Sequence, residues 1–121
     1  MAPGFEGIRG DLPDGISLTV IGPLDAFTAP GLDQAIGDAL GAVPGGGSVA
    51  IDLRRLEFIA AAGVRALFRA ADAADRAGVA NRVVVAAGQH ARTIIDRIDV
   101  DGRLPLVERL YQVTDAGERR P

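Results

Sequence analysis

Few side chains of this chain could do covalent or metal chemistry. Among its 121 residues there is no cysteine, and all thirteen cationic residues are arginine. That removes disulfides, thiol nucleophiles, the lysine of a phosphate loop and any Schiff-base amine. His90 is the single histidine, and no carboxylates stand around it at ligand spacing, so the sequence offers no metal site. A hydrolytic triad would have to use Ser17 or Ser48, and neither sits on a nucleophile turn. Gly45-Gly46-Gly47 lacks the Lys and Ser/Thr ending of a phosphate loop and reads as a linker. What remains is a backbone device in the stretch Val49–Phe68. An apolar strand, Val49–Leu53, is followed by a polar turn, Phe58-Ile59, three alanines and Gly63, where an amphipathic helix begins. A helix start gathers free N–H groups at a positive dipole end, which suits an anion. A non-enzymatic protein without cofactor or metal is expected.

The elements around that stretch are read from periodicity. Phe5–Gly10 and Ile16–Ile21 form a candidate hairpin around the turn Leu12-Pro13-Asp14-Gly15, and Gly22-Pro23 ends the second strand. Leu24–Thr28 is a loop, with Thr28 as expected N-cap and Pro30 in the first helical turn. Leu32, Ile36, Leu40 and Val43 then recur at helical spacing. The helix after Gly63 presents Val64, Leu67, Phe68, Ala71 and Ala74 on one face and stops at Gly78. Arg82–Ala87 reads as a buried parallel strand. A third helix buries Ala91, Ile94, Ile95 and Ile98, and Leu104–Val107 is a short last strand. A final helix is expected to start within Glu108–Tyr111, and residues 116–121 form a frayed tail. Ile51, Leu67, Val84 and Ile94 are expected in the core. The order ββαβαβαβ(α) predicts a single α/β domain over 1–121, its core at about 5–108. Its mixed sheet has four to five strands, Val49–Leu53 is central, and the helices lie mainly on one face.

A net charge of −3 disfavours a binder of nucleic-acid phosphates. No apolar run is long enough to span a membrane and the N-terminus lacks the features of a signal peptide, so a cytoplasmic protein is expected.

The segment Asp52-Leu53-Arg54-Arg55-Leu56-Glu57-Phe58-Ile59-Ala60-Ala61-Ala62-Gly63-Val64 resembles the STAS domain of bacterial anti-sigma factor antagonists. That family carries Asp-Leu-x-x-x-x-Phe-Ile-Asp-Ser-Ser-Gly-Leu. Gly22-Pro23-Leu24-Asp25 with Thr28 and Leu32, and Ile98-Asp99-Val100 through Leu104–Val107, resemble its flanking pieces. The resemblance covers about Phe5 to Glu108 and implies the STAS fold. The family's phosphorylated serine falls on Ala62, and the chain has Ala60-Ala61-Ala62 in place of Asp-Ser-Ser. No Ser, Thr or Tyr lies between Ser48 and Thr93, so hydroxyl phosphorylation at this turn is excluded.

Two readings of the alanines stand side by side: small residues that pack a tight turn, or a degenerate phospho-switch whose surroundings still dock a partner. On the second reading the resemblance implies a regulator of transcription that binds an anti-sigma factor of the serine-kinase type. Its contact surface would comprise Asp25, Phe27, Thr28, Ala60, Ala61, Ala62, Gly63, Val64 and Arg65. Asp25 reads equally well as a loop residue, and Phe27 as core. Arg54 and Arg55 read as a solvated turn or a grip on an acidic partner, Arg65 and Arg69 as a wet helix face. An accessory subunit of a transporter ATPase and a nucleotide- or ligand-sensing module are the alternatives. A homodimer is left open.

Overall fold

The computed structural model describes residues 5–110. Six strands and three helices follow in the order β1 (Glu6–Leu12), β2 (Gly15–Leu24), α1 (Ala29–Ala42), β3 (Ser48–Asp52), β4 (Leu56–Ile59), α2 (Ala61–Ala77), β5 (Ala80–Val84), α3 (His90–Ile98) and β6 (Leu106–Val107). The sheet runs β1-β2-β3-β5-β6, with β4 added beside β2. Only the β1–β2 hairpin is antiparallel; every other pairing is parallel.

Central strand β3 is buried at all five residues. The alternation sorts these residues between two layers. Val49, Ile51 and Leu53 join Leu18, Val20, Val83 and Val85 beneath the helices. Ala50 turns to the opposite face with Leu12 and Val84, where Val107 and Leu110 also pack. The helices add Leu32 and Ile36 from α1, Val64 and Leu67 from α2, and Ala91 and Ile95 from α3 to a single core. They therefore lie on one face, as the sequence led us to expect. Helix α2 ends at Gly78, whose φ of 72° is the left-handed cap that glycine adopts without strain.

The structure corrects several boundaries. The sheet has six strands rather than four or five, because the turn after β3 contains β4. Only one of its four residues, Ile59, is buried, so the segment carries no periodic signal. It becomes a strand because β2 runs past its expected end at Gly22-Pro23 and offers its last residues as a partner. The β2 register shifts at that point, with Gly22 at φ 94°. Residues Gly15–Thr19 of β2 pair with β3, and Gly22–Leu24 pair with β4. In α3 the buried positions are Ala91 and Ile95, while Ile94 is half-buried and Ile98 is exposed. Ile98 is the last residue of α3, where the helix gives way to the turn at Asp99. Val84 is buried as expected, but on the face without helices. Residues 108–110 are not helical, and the remainder of the expected final helix and tail lies outside the described residues.

Exposed arginines brace the helical layer. Arg69 on α2 pairs with Asp33 on α1 at 3.1 Å. Arg103 reaches Asp72 at 3.1 Å and lies 4.7 Å from the centroid of the Phe68 ring. Asp99 accepts from the backbone N–H of Arg103 and Leu104, both at 2.8 Å, and so shapes the turn into β6.

Leu67 is fully buried where α2 meets the sheet. We expect Leu67→Ala to cost about 2–5 kcal/mol, read as a shift in the urea midpoint without a change in slope. A loss well below 1 kcal/mol would place Leu67 outside the core.

Candidate partner-binding site at the start of α2

The start of α2 is held by one carbonyl. The N–H of Ala60 donates to the carbonyl oxygen of Leu24 at 3.0 Å. Gly63 lies against the same residue. A Cβ added at Gly63 would stand 2.5 Å from the Leu24 oxygen, 2.9 Å from its Cγ and 3.0 Å from Ile59 Cγ1. Glycine is therefore required here by close approach, not by backbone angle. The carbonyl of Ala60 then accepts from Gly63 at 2.9 Å and Val64 at 3.1 Å, which starts the helix. No side chain caps it, and its first turn contains no acidic residue. Ala61 is exposed, Ala60 and Ala62 are half-buried, and Arg65 is exposed. Val64 is 0% exposed, so its side chain supports the surface from below and cannot contact a partner.

The loop from β2 to α1 is closed by its own polar groups. Asp25 Oδ1 accepts from the N–H of Phe27 at 3.0 Å and of Thr28 at 3.1 Å. The N–H of Asp25 donates to Thr28 Oγ1 at 2.9 Å, and that hydroxyl donates to the Pro23 carbonyl at 3.0 Å. Thr28 stands at the N-cap position but does not cap the helix with its side chain, because its hydroxyl is committed to the loop. It is buried, so it shapes the loop rather than presenting itself. The loop forces Phe27 outward, and at 86% exposure it is no core residue.

Sequence reasoning missed Phe58. It lies opposite Pro23 on β4 and is 49% exposed, whereas Ile59 beside it is buried. The signal was the alternation of Phe58 and Ile59, too short to read without knowing that β4 is a strand. Gln89 was also missed. Its Nε2 donates to the Leu53 carbonyl at 2.7 Å and its Oε1 accepts from the Ala86 N–H at 3.1 Å, tying the loop before α3 to the end of β3.

The turn between β3 and β4 rests on an ion pair. Arg54 grips buried Asp52 with Nε at 3.0 Å and Nη2 at 2.8 Å, and its backbone N–H adds a third bond at 3.0 Å. Burial works to raise the Asp52 pKa. The hydrogen bonds from Arg54, with the charges of Arg54 and Arg55, outweigh burial and set it below the ordinary 3.8. Hydrogen bonding to Asp52 correspondingly raises the Arg54 pKa. Arg54 is thus engaged within the turn, while Arg55 is exposed. Among the described residues no three His, Asp or Glu side chains gather into a metal-binding group, and no helix is long and apolar enough to cross a membrane.

The family model of the STAS domain matches residues 7–113. The chain belongs to the STAS domain family. No curated protein sequence matches it. Among solved structures it is similar to an anti-sigma factor antagonist from Mycobacterium paratuberculosis, at 27% identity and a TM-score of 0.74, over 90% of this chain and 91% of that one. The phosphorylated form of the Bacillus cell fate determinant SpoIIAA matches at 13% identity and a TM-score of 0.59, over 84% and 89% of the two chains. A sulfate transporter family protein from Wolinella succinogenes matches at 17% identity and a TM-score of 0.53, over 78% and 76%. The last two show the fold alone.

In this STAS domain the Gly63 contact predicts an unusually severe Gly-to-Ala change. Gly63→Ala should destabilise by about 1–3 kcal/mol through overpacking, although alanine is the better helix former. An unchanged thermal melt would show that α2 can step back from Leu24. The Asp52 carboxylate predicts a pH dependence. A lowered folded pKa contributes stability above the unfolded value of about 3.8 and loses it as pH falls through 3.8 towards the folded value. Asp52→Asn should therefore be less stable than the native chain at neutral pH, and the gap should narrow in acid. A gap that is constant from pH 7 to 3 would remove the ion pair from the stability of the turn.

Proposed function

We propose that this STAS domain is an anti-sigma factor antagonist-like protein. It binds an anti-sigma factor of the serine-kinase type and lacks the hydroxyl by which such a partner would be released. The observation that carries this reading is the uncapped, uncharged start of α2, with Ala62 at the family's phosphoserine position and the exposed aromatics Phe27 and Phe58 on the two segments that meet at Leu24. The likeness to the mycobacterial antagonist over nine-tenths of both chains supports it.

Aromatic side chains that are exposed in the free protein are frequent anchors of protein contacts. The residues that present the surface are Phe27, Phe58, Ala60, Ala61, Ala62 and Arg65. Asp25, Thr28, Gly63 and Val64 act by holding its shape. A phosphoserine at this turn would place nearly two negative charges at its centre. Alanine keeps it permanently in the uncharged state, so control would come from the abundance of the chain or from another signal. On this reading the protein acts in the cytoplasm on transcription and has no catalytic step of its own.

Affinity purification from the native cell, followed by titration of the recovered anti-sigma factor, tests the proposal. Ala62→Glu should abolish binding, because an unpaired charge buried in a dry contact costs several kcal/mol. The same carboxylate at a helix N-terminus should leave the melt unchanged or raise stability by about 0.3–1 kcal/mol. Phe27→Ala should weaken binding by about tenfold or more at constant stability. Recovery of a transporter ATPase instead, or full binding by both variants, would overturn the reading.

A further inference from the structure

Strand β1 forms one edge of the sheet, and its outer side has no partner among the described residues. Six of its seven residues, Glu6 to Asp11, are exposed. Sheet edges are usually protected by charged side chains, lysine above all, by proline or by a bulge. Glu6-Gly7-Ile8-Arg9-Gly10-Asp11-Leu12 contains no proline, and its seven pairs with β2 run without a bulge. Its charges, Glu6, Arg9 and Asp11, are of both signs, so they block a partner only where like meets like.

The backbone groups that face outward can be identified. The N–H of Ser48 donates to the Asp14 carbonyl at 2.9 Å, so Asp14 and Ile16 point towards β3. By alternation Gly15, Ser17, Thr19 and Ile21 point towards β1. Their partners Leu12, Gly10, Ile8 and Glu6 are thus committed inward. Gly7, Arg9 and Asp11 are left with N–H and C=O aimed at solvent.

We propose that β1 pairs antiparallel with β1 of a second copy of this chain, about a two-fold axis at Gly10, to join the two sheets. A symmetric pairing must set outward groups against outward groups, which leaves few registers. An axis at Arg9 places arginine against arginine, and an axis at Asp11 places aspartate against aspartate. An axis at Ile8 faces Arg9 with Gly7. Only the axis at Gly10 sets Arg9 against Asp11 of the other copy, and does so twice. The same register places Ile8 against Leu12 twice, on the helix-free face. Ile8 is 42% exposed, and Leu12 belongs to the apolar cluster with Ala50 and Val84, so the pairing extends that cluster across the axis. At the axis the two strands meet through glycines, where the closest Cα approach of an antiparallel pair falls. Among the described residues neither Arg9 nor Asp11 makes an ion pair within the chain. Opposite charges directly across a ladder stabilise it and like charges destabilise it.

Sedimentation velocity of the full chain over a concentration series tests the proposal. The native chain should show a monomer–dimer equilibrium that weakens with added salt. Arg9→Asp and Asp11→Arg should each weaken self-association by about tenfold or more, since each sets like charges across both pairs. Mixing these two variants should produce a heterodimer, because every facing pair then has opposite signs. The double variant Arg9→Asp/Asp11→Arg should restore the homodimer. Circular dichroism should show every variant folded, as both positions are exposed. A native chain that stays monomeric, single variants that associate as the native chain does, or a mixture that forms no heterodimer would each overturn the proposal.

Discussion

The approach of Gly63 to Leu24 is the contact on which the arrangement depends. It lets the first turn of α2 sit directly on the backbone at the end of β2. The Leu24 carbonyl also receives the N–H of Ala60, so one peptide group fixes where β4 ends and α2 begins. Any side chain at position 63 would push the helix off the sheet. Because Leu24 precedes the Asp25–Thr28 loop, the same contact sets the position of that loop against the helix start. The small residues Ala60, Ala61 and Ala62 keep the junction free of bulk and charge.

Around this contact, each loop is closed by a local polar device. Asp25 and Thr28 satisfy one another and the backbone between them, so the loop is shaped without help from a partner. Asp52 and Arg54 do the same for the turn after β3, and Gln89 locks the loop before α3 onto Leu53. Most of the polar groups are thereby spent on structure, and apart from Arg65 the features named at the start of α2 that face solvent are aromatic and aliphatic. A site of this composition suits docking more than chemistry.

The sheet is asymmetric. One face carries all three helices and most of the core. The other is lined in β2 and β3 by small and polar residues, Ser17, Thr19, Ser48 and Ala50, with a modest apolar cluster at Leu12 and Val84. Among the described residues strand β1 ends this layer with an open edge, while β4 pairs with the last residues of β2. The molecule thus offers two separate surfaces, a helix start beside β4 and a strand edge at β1.

The sequence by itself determined the α/β class, the central strand, the amphipathic phases of α1 and α2, and the family frame from Asp52 to Val64. These are carried by periodicity over many residues, which local composition records directly. It also determined that no hydroxyl stands at the turn before Gly63. Only tertiary structure decided that Leu56–Ile59 is a strand, because its partner is the overshooting end of β2, Gly22–Leu24, far earlier in the chain. The exposure of Phe27 and Phe58 was illegible for the same reason. An aromatic reads as core until the loop or strand that carries it is placed. Thr28 shows the reverse case: its type and position spelled an N-cap, but the Pro23 carbonyl five residues earlier and the neighbouring Asp25 took its hydroxyl once the loop had closed. Local signals name what a residue can do, and competition among partners brought together by the fold selects which of those it does.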